Sequence, residues 1–104
     1  MPELTERAAR AYSTLDGYRG SGVRETAGRV AVFLLRDDLP AGVRCDAENL
    51  LEGAVTLSGM LDGRSINNIV RSASVLCAQA LAHQALDHGI GARGFQTGDI
   101  FDRS

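Results

Sequence analysis

Apolar residues recur at intervals of three and four near the amino terminus of the chain, at Leu4, Ala8, Ala11, Tyr12 and Leu15. Charged and polar residues occupy the positions between them, so the pattern predicts an amphipathic helix from about Glu3 to Asp16. Three glycines and a serine within residues 17–22 then predict a loop.

A second apolar periodicity begins at Val23 and ends before the pair Asp37-Asp38. Its length and the helical spacing of its arginines favour a helix. The six apolar residues Val30–Leu35 are also compatible with a buried strand, because periodicity does not separate the two over so short a run. Such a strand, followed by acidic residues, would resemble a Walker B segment. Helix and strand both stay open at this point.

Two further helices are predicted in the second half of the chain. Residues 40–44 are expected to form a turn, after which Asp46 is the candidate N-cap of a helix whose apolar stripe runs to Leu57. Gly59 and Gly63 interrupt the pattern, and Ser65 is the candidate cap of the last helix. The acidic residues of the third helix, among them Glu48, are expected to be solvated.

The last helix is apolar over most of its circumference, which is typical of the central helix of a bundle. One face contains Ile66, Ile69, Val70, Ala73, Leu76, Cys77 and Ala80, and a second contains Val75, Ala78, Leu81, Ala82 and Ala85. Gly89 and Gly91 are expected to end it. Four helices with short connections predict an all-α bundle within a single domain, residues 1–104.

Composition narrows the functional classes. The chain has 11 basic and 13 acidic residues, a net charge of -2, so a nucleic-acid partner is not expected. Every basic residue is an arginine, which excludes a lysine-containing P-loop and a lysine Schiff base. Two cysteines, Cys45 and Cys77, are expected to be reduced thiols. Without an apolar leader or a membrane span, we expect a cytoplasmic protein.

The residues Cys77, His83, Asp87 and His88 are the candidates for metal binding or for a thiol–imidazole couple. They lack the spacing of zinc sites, in which cysteine or histidine pairs are separated by two or three residues. A histidine paired with a carboxylate at a helix C-terminus is the alternative interpretation, and it is favoured. We therefore expect no cofactor, and the sequence predicts no catalytic site.

The segment Leu61–Ala73 contains a glycine–arginine pair at the start of a helix, followed by Ile, Asn, Val and Ala at helical spacing. It resembles the C-terminal helical lid of AAA+ ATPases. Further matching stretches extend the resemblance over about residues 29–101, and residues 1–28 would form an N-terminal helix and loop. These stretches are Asp38–Pro40, Glu48–Leu51, Thr56–Gly59 and Phe95–Ile100.

The resemblance implies that Arg64 contacts a nucleotide's phosphates, with Gly63 and Ser65 beside it, and that three residues pack or cap the same helix: Ile66, Asn68 and Val70. The chain departs from the family in containing two turn motifs, Leu57–Gly59 and Asp62–Arg64, where the family usually has one. It also lacks the P-loop domain.

The resemblance therefore implies a non-catalytic module that binds a protein partner, either an ATPase core or a second copy of itself. The alternative is a small dimeric all-α regulator of the antitoxin or phage type. Such a regulator would associate through its apolar and alanine-rich faces.

Overall fold

The computed structural model describes residues 3–89, and within that range it contains four α-helices and no strand. The helices are α1 (Glu6–Asp16), α2 (Val23–Leu34), α3 (Ala41–Leu57) and α4 (Gly63–Gly89). The predicted all-α bundle is confirmed. None of these helices is long and apolar enough to cross a membrane.

Helix α1 begins where a threonine can cap it. The hydroxyl of Thr5 accepts the backbone N–H of Ala8 at 3.2 Å, so α1 starts three residues later than Glu3. Ala8, Ala11 and Leu15 form its buried stripe. The helix ends at Asp16, as predicted, and the loop of residues 17–22 follows.

Helix α2 includes the apolar run that was open between helix and strand. Val30–Leu34 is helical, and Leu35 caps the helix. Val30, Ala31 and Leu34 are buried, whereas Val32 is 65% exposed. Burial therefore follows the helical period, and the strand interpretation with its Walker B resemblance is wrong.

The predicted turn at residues 40–44 is wrong, because α3 already begins at Ala41. Pro40 stands at the N-cap position, and its carbonyl accepts the backbone N–H of Arg44 at 2.9 Å. The guanidinium of Arg44 in turn donates to the carbonyls of Leu34 and Arg36, at the end of α2. This tertiary contact fixes the first turn of α3, and it places Asp46 inside the helix and not at its cap.

The helices are arranged so that α1 and α4 each pack against both α2 and α3. Side chains from all four helices meet in the core, and the largest that are fully buried include Leu15, Leu34, Leu51 and Ile66. The lid-like segment expected from the sequence begins at about residue 29, which lies inside α2. Helix α1 contributes to the same core as the helices that follow.

Helix α4 buries a single stripe, and within residues 3–89 it packs chiefly against α2 and α3. Ile66, Val70, Ala73 and Cys77 are fully buried. On the second apolar face, Val75 is 46% exposed, and three alanines are exposed as well: Ala78, Ala82 and Ala85. The expectation of a helix enclosed by the bundle is therefore wrong.

The cap of α4 is Asp62 and not Ser65. A carboxylate oxygen of Asp62 accepts the backbone N–H of Ser65 at 2.8 Å, which is the usual bond from an N-cap to the third helical residue. Hydrogen bonds from the side chain and backbone of Ser65 lower the pKa of Asp62 below its ordinary value. The capping bond is therefore strongest when Asp62 is ionised.

We expect the Asp62→Asn variant to be less acid-sensitive than the wild-type protein. A carboxyl whose pKa is lowered by folding stabilises the fold above its unfolded pKa, about 4, and that contribution is lost as the pH falls through the folded pKa. Asparagine keeps the capping oxygen but does not titrate. Urea unfolding measures the free energy of unfolding of both proteins between neutral pH and about pH 3. As the pH falls over this range, the difference between the two free energies should shift in favour of the variant. Parallel pH curves would contradict this assignment.

The two cysteines occupy different environments. Both are free thiols, with Cys45 exposed and Cys77 fully buried in the core. Burial raises the pKa of the Cys77 thiol, which keeps it protonated and unreactive.

Candidate functional site

A polar cleft of about 410 Å³ lies between the loop of residues 17–22 and the first turns of α4. Two arginines, two asparagines and a serine line it: Arg64, Arg71, Asn67, Asn68 and Ser21. These side chains supply hydrogen-bond donors, and none of them is a carboxylate. The cleft is therefore suited to an anion.

The loop reaches the cleft through an unusual backbone conformation. Gly20, Ser21 and Gly22 all have left-handed backbone angles, with φ values of 80°, 60° and 76°. Glycine adopts this region freely, whereas Ser21 does so under strain. The three residues turn the chain back so that Ser21 packs directly over Gly63.

Gly63 is required by this close approach. A Cβ atom at position 63 would lie 2.9 Å from Cβ of Ser21, closer still to its hydroxyl oxygen, and 3.4 Å from the ring of Tyr18. Gly63 therefore acts in packing: it allows the loop to approach the start of α4.

We expect Gly63→Ala to be more destabilising in the wild-type protein than in the Ser21→Gly background. Ser21→Gly removes the atoms that the new methyl group meets and relieves the left-handed strain. The losses of unfolding free energy caused by Gly63→Ala in the two backgrounds should differ by about 0.5 to 3 kcal/mol, the usual coupling of contacting residues. A double-mutant cycle by urea denaturation measures it.

Gly28→Ala is the matched control for this cycle. Gly28 lies in α2, and a Cβ atom there meets nothing within 4 Å. The alanine should stabilise the helix in both backgrounds and show no coupling to Ser21. Additive behaviour of Gly63 and Ser21 would show that the loop does not press on α4 as described.

Three cleft residues follow one face of α4. Arg64, Asn68 and Arg71 stand at positions i, i+4 and i+7, so the two arginines are about 10 Å apart along the helix axis. All three are exposed, and among the described residues neither arginine forms a salt bridge. Arg64 acts electrostatically on Asp62, whose carboxylate already caps the helix. Both guanidinium groups are therefore available to an anion.

Asn67 is the buried member of the cleft, with only 8% of its surface exposed. The hydroxyl of Thr26 lies 2.8 Å from Oδ1 of Asn67 and 2.9 Å from the carbonyl of Gly22. That carbonyl already accepts the backbone N–H of Thr26 at 3.0 Å. The hydroxyl has one proton, which Oδ1 of Asn67 and this carbonyl can both accept.

The other end of the Asn67 amide has no acceptor within the part of the chain that the structure describes. Its Nδ2 lies toward the loop, where a Cβ atom on Gly22 would be 3.6 Å away. A buried amide donor without an acceptor is unfavourable. The cleft thus contains a positioned donor that a ligand could satisfy.

The structure divides the residues named from the sequence into two groups. Arg64 and Asn68 line the cleft, whereas Ile66 and Val70 are fully buried in the core. Ser65 is half-buried in the first turn of α4.

Sequence reasoning missed three lining residues of the cleft: Ser21, Asn67 and Arg71. The seven-residue spacing between Arg64 and Arg71 was the signal that could have found the second arginine.

The structure describes the side chains of two candidate metal ligands, Cys77 and His83. Cys77 is fully buried and His83 is exposed, and the structure shows no group of three ligating side chains among the residues it describes. The side chains of Asp87 and His88 lie outside the described residues, as does the terminal segment Phe95–Ile100.

Comparison with known proteins identifies no family for this chain. The sequence matches no family model, and no curated protein or solved structure is significantly similar to it.

Proposed function

We propose that this chain is a non-catalytic helical interaction module, which binds a protein partner and contacts the partner's nucleotide through Arg64. The observation that supports the proposal is the position of Arg64 at the edge of a cleft with a second arginine and no carboxylate in its lining. A guanidinium in such a place binds phosphate oxygens through paired hydrogen bonds.

The nucleotide would be held mainly by the partner. The chain contains no lysine, so it does not supply the lysine of a P-loop. An ATPase core would supply that loop, and this module would add an arginine from outside. The arrangement is the one that the resemblance to AAA+ lids implies.

The test compares the wild-type protein with Arg64→Gln and Arg29→Gln. Arg29 is exposed on α2 and does not line the cleft, so its variant controls for the lost charge. Each protein is immobilised and exposed to lysate of its source cells, with a nucleotide analogue or after enzymatic removal of nucleotide. Wild type and Arg29→Gln should retain a nucleotide-binding protein in a nucleotide-dependent manner. Equal retention by Arg64→Gln, or retention of no such protein, would overturn the proposal.

The dimeric regulator is a second candidate because α4 exposes apolar surface. Val75 and Leu86 are 46% and 55% exposed, beside the exposed alanines of the same helix. Such a regulator would form a concentration-dependent dimer that Val75→Asp disrupts and Arg64→Gln leaves intact. Sedimentation velocity over a range of protein concentrations distinguishes it, and a monomer throughout would exclude it.

A further inference from the structure

We infer that the cleft itself binds a phosphoryl group in the isolated chain, with Asn67 and Arg71 as binding residues beside Arg64. The inference rests on the proposed function for the role of Arg64. It goes further in assigning the ligand's chemical class and the residues that hold it without a partner.

The cleft contains more hydrogen-bond donors than acceptors. Arg71 and Arg64 present guanidinium N–H groups, Ser21 presents a hydroxyl, and Asn67 presents a buried amide that has no acceptor among residues 3–89. A tetrahedral oxyanion has several acceptor oxygens pointing in different directions. It can satisfy these donors together, whereas a planar carboxylate pairs best with a single guanidinium.

The acidic residues of the chain are distributed unevenly around the cleft. The chain contains 13 acidic residues, yet the segment Gly63–Leu86 of α4 contains none. Asp62, which caps the helix, interacts with Arg64, whereas no carboxylate of this segment lies beside Arg71. An anion is attracted to this end of a protein whose net charge is negative.

The start of α2 lies next to the loop that lines the cleft. The helix begins at Val23 without a side-chain cap, and Glu25 lies in its first turn. The first backbone N–H groups of a helix have no partner within it, and they favour an anion nearby. They reinforce the preference for an anion, although the side chains of α4 determine where it binds.

The test is an NMR titration of the uniformly ¹⁵N-labelled chain in phosphate-free buffer. Inorganic phosphate, pyrophosphate and ADP are added separately, and sodium chloride at matched ionic strength is the control. We expect saturable shifts of the Asn67 side-chain amide and of the backbone amides of Ser21 and Gly22. Saturation by all three ligands assigns the phosphoryl group as the ligand, and tighter binding of ADP assigns a nucleotide as its source.

The variants make the assignment specific. Arg71→Gln should weaken phosphate binding by about tenfold, the usual effect of losing a charge-assisted hydrogen bond, and Arg29→Gln should leave it unchanged. Asn67→Asp places a carboxylate in the cleft and should abolish binding. Arg71 is exposed, so Arg71→Gln keeps the test valid if Asn67→Asp does not fold.

Two outcomes would overturn the inference: shifts that sodium chloride reproduces, or equal affinity of Arg71→Gln and wild type. Failure here is distinguishable from failure of the proposed function. If the isolated chain does not bind phosphate but captures its partner through Arg64, only this inference is overturned. A chain that binds phosphate but captures no nucleotide-binding protein overturns only the proposed function.

Discussion

Ile66→Ala should lower the free energy of unfolding by about 2 to 5 kcal/mol, the usual cost of deleting most of a buried aliphatic side chain. Ile66 is fully buried in the first turns of α4 and belongs to the core that all four helices share. Helices α2 and α3 both pack against α4, so they limit the collapse of the cavity. A domain of this size has a total stability of about 5 to 15 kcal/mol, so the loss is a large fraction of it.

Urea denaturation followed by circular dichroism measures this prediction. Leu76→Ala is the matched control, since Leu76 lies on the same helix but is only half-buried. It should cost clearly less than Ile66→Ala, because part of its side chain already contacts water. Equal costs at the two positions would show that α4 is more enclosed than the structure indicates.

Helix periodicity was sufficient to predict the four helices of residues 3–89 and the carboxyl end of α1. It was insufficient for Val30–Leu35, because six apolar residues look alike in a buried strand and a buried helix. The exposure of Val32, between buried Ala31 and half-buried Phe33, separates the two. That exposure depends on where α1 and α4 lie, which no local pattern contains.

The N-caps predicted for α3 and α4 are wrong, because other side chains stabilise the starts of these helices. The start of α3 is held by Arg44, whose guanidinium reaches carbonyls of α2. The start of α4 is held by Asp62, three residues before the serine that the sequence favoured. The contact at the start of α3 joins two helices and is absent from the local pattern, whereas the contact at the start of α4 is local, since Asp62 is itself a preferred cap residue.

The candidate site was predicted only in part for the same reason. Arg64 and Asn68 were found because they belong to a sequence motif. Asn67 was missed because its burial depends on Thr26, which lies 41 positions away and donates to its amide. Ser21 was missed because its role depends on three consecutive left-handed residues.

Glu48 shows how burial can reverse the expected role of an acidic residue. The carboxylate was expected to be solvated, but Glu48 is only 5% exposed on α3. The Thr5 hydroxyl donates to it at 2.6 Å, and the guanidinium of Arg7 lies 3.5 Å away. Arg7 also binds Glu52 at 2.6 Å, and this contact lowers the pKa of Glu52. The cluster joins the start of α1 to α3.

Thr5→Ala is expected to cost about 2 to 4 kcal/mol, because one hydroxyl performs two tasks. It accepts the Ala8 N–H as the cap of α1, and it donates to the buried carboxylate of Glu48. Alanine removes the cap and leaves a buried charge without its shortest hydrogen bond. Thr5→Ser keeps both bonds and should retain most of the stability.

Urea unfolding of a variant set separates the two tasks of the Thr5 hydroxyl. In the Glu48→Gln background, the cost of Thr5→Ala should fall toward the cost of a lost cap, about 1 kcal/mol, because the buried group that loses the Thr5 hydrogen bond is then neutral. Thr14→Ala is the control within α1: its hydroxyl bonds only to the carbonyl of Arg10 on the exposed face, so the change should stay within about 0.5 kcal/mol. If Thr5→Ala costs the same in both backgrounds, Thr5 acts as a cap alone and Glu48 is held by Arg7.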